Sequence, residues 1–327
     1  MKIAIIGATG LVGRMMARIL EERDFPVAEL IPAASERSFG KMVAFKNKEY
    51  QVVGVEEALS RKPDFALFSA GKDISLKYAQ RFAATGTIVI DNSSAWRMEK
   101  NVRLIVPEVN GDMLSKDDRL IANPNCSTIQ LMVAVHPLQK KYELKRMVVS
   151  TYQAVSGSGQ KALDQMEAER NRQKPEMAYP HPIDLNCLPH GGDFLPNGYT
   201  SEEMKLLNES RKILNLPELR VTATVVRIPV ETGHSESVNL EFEKDFEIKD
   251  VREILAKSPG ITLLDNPAQN QYPMPLCAAG KDEVFVGRIR RDESLPKALN
   301  MWVVSDNLRK GAATNAVQIA ERMLKFT

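Results

Sequence analysis

The stretch Lys2-Ile3-Ala4-Ile5-Ile6-Gly7-Ala8-Thr9-Gly10-Leu11-Val12-Gly13 decides the fold class. After Lys2 its next four residues, Ile3 to Ile6, are an unbroken apolar run, the composition of a strand buried on both faces. Gly7, Gly10 and Gly13 then turn the chain, and Met16, Ile19 and Leu20 recur at the spacing of one helix face. A strand, a glycine turn and a helix in that order let a pyrophosphate approach backbone N–H groups at a helix N-terminus. The spacing is G-x-x-G-x-x-G, without the second glycine of the commonest fingerprint, so the placement between strand and helix carries the reading. Gly7, Thr9, Gly10, Leu11, Val12 and Gly13 are the candidate cofactor residues of this turn.

More such units follow. Strands are expected over residues 27–34, 65–69, 87–91 and 119–122, with a helix over 74–84. Strands alternating with helices predict a Rossmann-like, doubly wound parallel sheet. After Arg146 the pattern changes to long alternating segments at 147–154, 220–229, 237–242, 283–290 and 300–304. Val238, Leu240 and Phe242 share one face of such a segment, and Asn239 and Glu241 the other. This predicts an α+β domain with a mixed, largely antiparallel sheet covered on one face. The expected division is a cofactor-binding domain over 1–126, completed by a returning C-terminal helix within 306–327, and a second domain over 127–305. The helix is marked by Ala313, Ala316, Val317, Ala320 and Leu324. The Pro- and His-containing stretch 174–196 reads as a long loop of the kind that carries function or covers an interface.

Bulk properties narrow the class. A chain of 327 residues exceeds what a single core usually supports, consistent with two domains. Lys plus Arg number 44 against 42 Asp plus Glu, so there is no long-range attraction to nucleic acid or anionic membrane, and small-molecule substrates are expected. Three cysteines without paired spacing argue against a disulfide framework and for a reducing, cytoplasmic setting. No apolar run approaches the roughly 18 residues of a membrane span, and the N-terminus has no signal-peptide pattern.

Within Asn123-Pro124-Asn125-Cys126-Ser127-Thr128 a single cysteine stands where a short strand hands over to a helix. Ile129, Leu131, Met132 and Val135 suggest that this helix is amphipathic. At its first turn, unpaired N–H groups and the positive end of the macrodipole favour a thiolate. A core cysteine is the alternative. A thiol nucleophile working with a nicotinamide cofactor implies aldehyde oxidation through a thiohemiacetal, or its reverse through a thioester, and this needs a proton-handling group. Of four histidines, His136 lies about three turns along the same helix, too far to meet the thiol. His234 follows Pro229 and Gly233 at the end of a strand and is the better candidate. His181, Cys187 and His190 have irregular spacing and no fourth ligand, so no metal is expected. At the end of the second strand, Ser35, Arg37, Ser38 and Lys41 suit a 2′-phosphate and favour NADP, while Glu36 leaves NAD open.

Six segments together resemble the aspartate-semialdehyde dehydrogenase family: the glycine turn, Asp91-Asn92-Ser93-Ser94-Ala95-Trp96-Arg97-Met98, the segment around Cys126, the run from Thr151 to Gly159, Glu202-Glu203-Met204-Lys205, and Arg227-Ile228-Pro229-Val230 with Gly233-His234-Ser235. The resemblance implies an NADPH-dependent homodimer of amino-acid biosynthesis that reductively dephosphorylates 4-phospho-L-aspartate to L-aspartate 4-semialdehyde. It assigns Cys126 as nucleophile, His234 as acid/base and Gln153 as an orienting amide. Arg227 resembles the clamp for the substrate α-carboxylate, Arg97 and Lys205 the phosphate-binding cations, and Glu202 the acidic residue that meets the substrate amine. Asn125 resembles a substrate-contacting amide, and Ser156, Gly157 and Asn307 resemble residues flanking the nicotinamide. Glu202 and Lys205 also fit an ordinary i,i+3 ion pair. An N-acetyl-γ-glutamyl-phosphate reductase, which usually has glycine before the cysteine, and a non-catalytic cofactor-binding relative are the alternatives.

Overall fold

The structure, a computed structural model, describes residues 1–326 and divides into two compact units. The first comprises Met1–Asn125 and the chain from Ala312 on, and the second Cys126–Gly311.

In the first unit the opening segment forms β1 (Lys2–Ile6), followed by β2 (Glu29–Ala33), β3 (Phe65–Phe68), β4 (Ile88–Asp91), β5 (Arg103–Leu104) and β6 (Leu120–Ala122). They make one sheet in the order β2-β1-β3-β4-β6-β5, every pairing parallel. The order reverses between β1 and β3, which places the glycine turn after β1 at the switch point where doubly wound folds bind ligands. Helix α1 (Leu11–Glu22) buries Met16, Ala17, Ile19 and Leu20, the face that the spacing predicted. Helix α2 (Lys72–Ala84) covers the sheet with Tyr78, Ala79 and Phe82.

The second unit holds the mixed sheet, built from β7 (Leu144–Gln153), β8 (Arg220–Arg227), β9 (His234–Phe242), β10 (Ile261–Leu263), β11 (Val284–Arg291) and β12 (Ala298–Ser305), in the order β8-β7-β9-β12-β11-β10. Only the β8–β7 and β10–β11 pairings are parallel. Helix α3 (Cys126–Tyr142) departs from the expected amphipathic pattern. Every residue from Ser127 to Val135 is buried. The cause is packing on both sides, against β9 and β12 and against α4 (Ser201–Leu214) and α5 (Ile248–Lys257).

Helix α6 (Thr314–Leu324) joins the core of the first unit through Ala316, Val317, Ile319, Ala320 and Met323, beside Ile3, Met16 and Leu20. Arg23 clasps Glu321 in a two-pronged pair of 2.7 and 2.8 Å. The boundaries differ from those expected. Cys126 falls with the second unit because it opens α3, and residues 306–311 do so because Asp306 accepts the N–H groups of Gly280, Leu308 and Arg309. Residue 327 of the expected terminal segment lies outside the described residues. Among the described residues no helix is long and apolar enough to cross a membrane.

Candidate active site

Three of the residues singled out in the sequence sit at one end of three adjacent strands. Gln153 is the last residue of β7, Arg227 the last of β8, and His234 the first of β9. Arg227 pairs with Gln153 in the parallel ladder, and Ser235 stands opposite Tyr152, so the next step of the antiparallel ladder sets His234 level with Gln153. All three are buried, with Gln153 and His234 at 0% exposure.

Helix α3 ties this strand end to the thiol. Cys126 is its first residue, and the hydroxyl of Ser127 accepts a hydrogen bond of 2.9 Å from Gln153 Nε2. One turn on, Gln130 Nε2 donates to the carbonyl of His234 at 3.2 Å. Gly311 passes against the thiol residue, and a Cβ built on it would stand 3.1 Å from Cys126 Cβ. Ser127, Gln130 and Gly311 escaped the sequence reading. Their signal was position, two of them within a turn of the cysteine on a helix too apolar for unused polar groups.

The imidazole has a fixed tautomer. The backbone N–H of Ala154 donates to His234 Nδ1 at 3.0 Å, so in the neutral ring the proton resides on Nε2. Burial pushes the pKa of His234 well below its ordinary 6.5, and the cation of Arg227 adds to this, so the ring is neutral at physiological pH. Among the described residues Nε2 has no hydrogen-bond partner. It faces Gly157, where an added Cβ would lie 3.0 Å from Nε2 and 2.7 Å from Arg227 Nη1. Arg227 Nη1 is anchored by the carbonyl of Ala154 at 3.1 Å, so one residue holds both side chains. Ser156 and Asn307 complete this edge. Asn307 Nδ2 donates to Ser156 Oγ at 2.9 Å, and its Oδ1 accepts from the N–H of Gly233 at 2.9 Å, next to His234.

Glu202 and Lys205 lie on α4, whose N-terminus is fixed by a capping box between Thr200 and Glu203. They bond to one another at 2.6 Å, the i,i+3 pair that the spacing allowed.

The first unit presents Arg97 and the glycine turn. Arg97 is buried, and its guanidinium donates to the carbonyls of Asn123 at 3.0 Å and Asn92 at 2.7 Å. The loop before it hangs on Asp91, which accepts from Ser75 Oγ at 2.8 Å and Ser93 Oγ at 2.7 Å. Burial raises the pKa of that carboxyl, against the pull of Ser93, Ser75 and Arg97. Asn125, beside the thiol residue in sequence, is buried as well.

The turn at residues 7–13 fits a dinucleotide. Gly7 has φ +93°, and a Cβ on it would meet Ser69 O at 2.4 Å, while one on Gly13 would meet Gly7 O at 2.1 Å. Gly10 is exposed, and its Cβ position touches only Gly7 O at 3.4 Å, so that side is open. The N-terminus of α1 has no side-chain cap, leaving its N–H groups for an anion. Thr9 Oγ1 meets Ser38 Oγ at 3.3 Å, which joins the turn to the loop bearing exposed Ser35 and Arg37.

The two units have counterparts among known proteins. Residues 2–117 match the NAD binding domain of the semialdehyde dehydrogenases, and residues 135–310 match the semialdehyde dehydrogenase dimerisation domain. The chain is 52% identical to an aspartate-semialdehyde dehydrogenase of Aquifex aeolicus, over 99% of this chain and 98% of that protein. It superposes with a TM-score of 0.95 on aspartate semialdehyde dehydrogenase II of Vibrio cholerae complexed with ASA, at 43% identity over 99% of this chain and 98% of that one. A similar structure is the Candida albicans aspartate semialdehyde dehydrogenase with NADP, at a TM-score of 0.76 and 26% identity over 99% of this chain and 98% of that one.

Proposed function

The chain belongs to the aspartate-semialdehyde dehydrogenase family, and from that premise we propose how its own residues carry out the reductive dephosphorylation of 4-phospho-L-aspartate to L-aspartate 4-semialdehyde. The observation that carries the reading is the convergence of Gln153, Arg227 and His234 at one strand end, tied through Ser127 to the helix that Cys126 opens.

Cys126, as a thiolate at the helix N-terminus, attacks the acyl carbon. The carbon–oxygen bond to phosphate breaks, inorganic phosphate leaves, and a thioester remains on the sulfur. A nicotinamide cofactor, when bound, supplies the hydride for reduction at that carbon. Collapse of the resulting thiohemiacetal oxyanion releases the aldehyde and regenerates the thiolate. His234 acts first as a donor. With Nδ1 occupied and the ring kept neutral, Nε2–H offers a hydrogen bond to the developing oxyanion without bringing a full charge, the electrophilic use of a neutral imidazole. Gln153, held by Ser127, orients the reacting group without competing for its proton.

Arg227 clamps the substrate α-carboxylate, for which a planar, bidentate donor is suited. Glu202 reads the amine, Arg97 and Lys205 bind the phosphate, and Asn125 contacts the substrate. The cofactor is NADP, held by Gly7, Thr9, Gly10, Leu11, Val12 and Gly13, with Ser35, Arg37 and Ser38 offering hydroxyls and a cation to the 2′-phosphate. Ser156, Gly157 and Asn307 flank the nicotinamide. Cofactor binding falls to the first unit, Met1–Asn125 with the C-terminal helix, catalysis and dimerisation to the second, Cys126–Gly311, and the enzyme is a homodimer. A cytoplasmic setting suits three cysteines that stand outside disulfides.

Phosphate-dependent reduction of NADP⁺ with L-aspartate 4-semialdehyde tests the reaction. A higher kcat/KM with N-acetylglutamate semialdehyde would reassign the substrate, and equal use of NAD⁺ would remove the role given to Ser35, Arg37 and Ser38.

A further inference from the structure

Glu236 sits two residues after His234 on β9, so both side chains point to the same face of the sheet. That face is otherwise apolar farther along, through Val238, Leu240 and Phe242. Glu236 is 0% exposed. Its ladder neighbours are Thr151 on one side and Val303 on the other, neither of them charged. Polar side chains that face it are those of Gln130 and Ser127, though among the described residues neither carboxyl oxygen reaches a partner in bonding geometry. These two are the residues through which α3 grips the site, since Ser127 receives Gln153 Nε2 and Gln130 holds the carbonyl of His234.

An ionised carboxylate taken out of water is strongly unfavourable, and burial favours its keeping the proton. Burial raises the pKa of Glu236 well above its ordinary 4.5, against the smaller pull of Gln130 and Ser127. A neutral carboxyl offers one O–H donor and an acceptor, whereas a carboxylate offers acceptors alone. Between a hydroxyl that already accepts from Gln153 and an amide already committed to His234, an acid that can both give and receive is placed to bridge the two groups.

We propose that Glu236 is a positioning residue of this reaction, linking Ser127 to Gln130 beneath the first turn of α3 and thereby fixing Gln153 and His234 with respect to the thiol. It makes no contact with substrate itself. The proposal rests on the reaction assigned above.

The test uses the full-length enzyme. Glu236→Met keeps the volume and removes the hydrogen-bonding atoms, and Glu236→Gln keeps a neutral donor and acceptor. Replacing a buried, poorly bonded acid by a well-packed apolar side chain leaves the melting temperature unchanged or raises it. The Met variant is therefore expected to lose at least about tenfold in kcat, with KM for the semialdehyde within about twofold and no loss of thermal stability, while Gln restores kcat to within about threefold of wild type. Wild-type kcat in a folded Glu236→Met variant would overturn the proposal. So would a Gln variant as slow as Met, or a loss of kcat that only follows a loss of melting temperature. If Met prevents folding, Gln and Ser127→Ala carry the test, with normal kcat in Ser127→Ala as the refuting result. A wild-type enzyme inactive on aspartate semialdehyde would refute the reaction itself, a separate failure from an active enzyme indifferent to Glu236→Met.

Discussion

Replacing Gly157 by alanine separates the geometry of the site from the stability of the fold. Gly157 lies in a short 3₁₀ turn, Val155–Ser158, and not at a positive φ, so alanine is compatible with the backbone there. Such a change ordinarily stabilises a protein by about 0.4–1 kcal/mol, by restricting the unfolded chain. The added methyl has a specific cost in activity. It would stand 2.7 Å from Arg227 Nη1 and 3.0 Å from His234 Nε2, where ordinary contact begins at 3.4 Å. Restoring that contact displaces the guanidinium by about 0.7 Å and the imidazole by about 0.4 Å, the same order as misplacements that cost roughly a hundredfold in rate. Neither group yields freely, because both are anchored on Ala154, through its carbonyl and its N–H. We therefore expect Gly157→Ala to lose about a hundredfold in kcat/KM, or roughly 2.7 kcal/mol of transition-state stabilisation. Its melting temperature should fall only slightly, because the gain from restricting the unfolded chain offsets part of the roughly 1–3 kcal/mol that such overpacking costs. Initial rates of NADP⁺ reduction with aspartate semialdehyde and phosphate, beside a thermal melt, measure both. A folded variant within threefold of the wild-type rate would show that Arg227 and His234 are not both needed where the structure holds them.

Cys126→Ala should lower turnover by at least about a thousandfold while the protein still binds NADP(H), as read by fluorescence titration, because the glycine turn is untouched. Gly13→Ala places a methyl 2.1 Å from Gly7 O, a collision with backbone, and should destabilise by about 1–3 kcal/mol and weaken cofactor binding in the same titration. For His234 the folded pKa lies below the unfolded 6.5, so its contribution to stability is complete above about 6.5 and is lost as the pH falls through that value toward the folded pKa. Urea titrations from pH 8 down to pH 5 should show this slope, and His234→Gln should reduce it. Glu236 behaves in the opposite sense. Its retained proton favours folding below 4.5, and this contribution fades as the pH rises toward its folded pKa, so the stability gained by Glu236→Gln should be larger at pH 8 than at pH 5.

The parallel sheet was legible because β1 is apolar from Ile3 to Ile6 and runs into a tight turn that needs its glycines, and β9 because Val238, Leu240 and Phe242 alternate without error. Helix α3 was misread for a related reason. Ile129, Leu131, Met132 and Val135 imply one apolar stripe, but the polar residues between them are also enclosed, and a sequence records spacing, not how many neighbours surround a helix. Cys126, Gln153, Arg227 and His234 could be picked out singly, yet their convergence depends on a ladder register that no local pattern encodes. The tautomer of His234 was hidden likewise, since it is set by the N–H of Ala154, 80 residues away in the chain. Glu236 is the case in which the signal was present. Extending the inward face of β9 backward from Val238 reaches Glu236 and then His234, so a strand that is strictly apolar over its second half turns ionisable at its first inward positions. A charge-bearing residue in an inward register conflicts with the hydrophobic pattern, and such conflicts concentrate at sites where function outweighs local stability. On that reasoning the break in alternation marks the part of the strand that belongs to the active site, and it marks Glu236 together with the histidine.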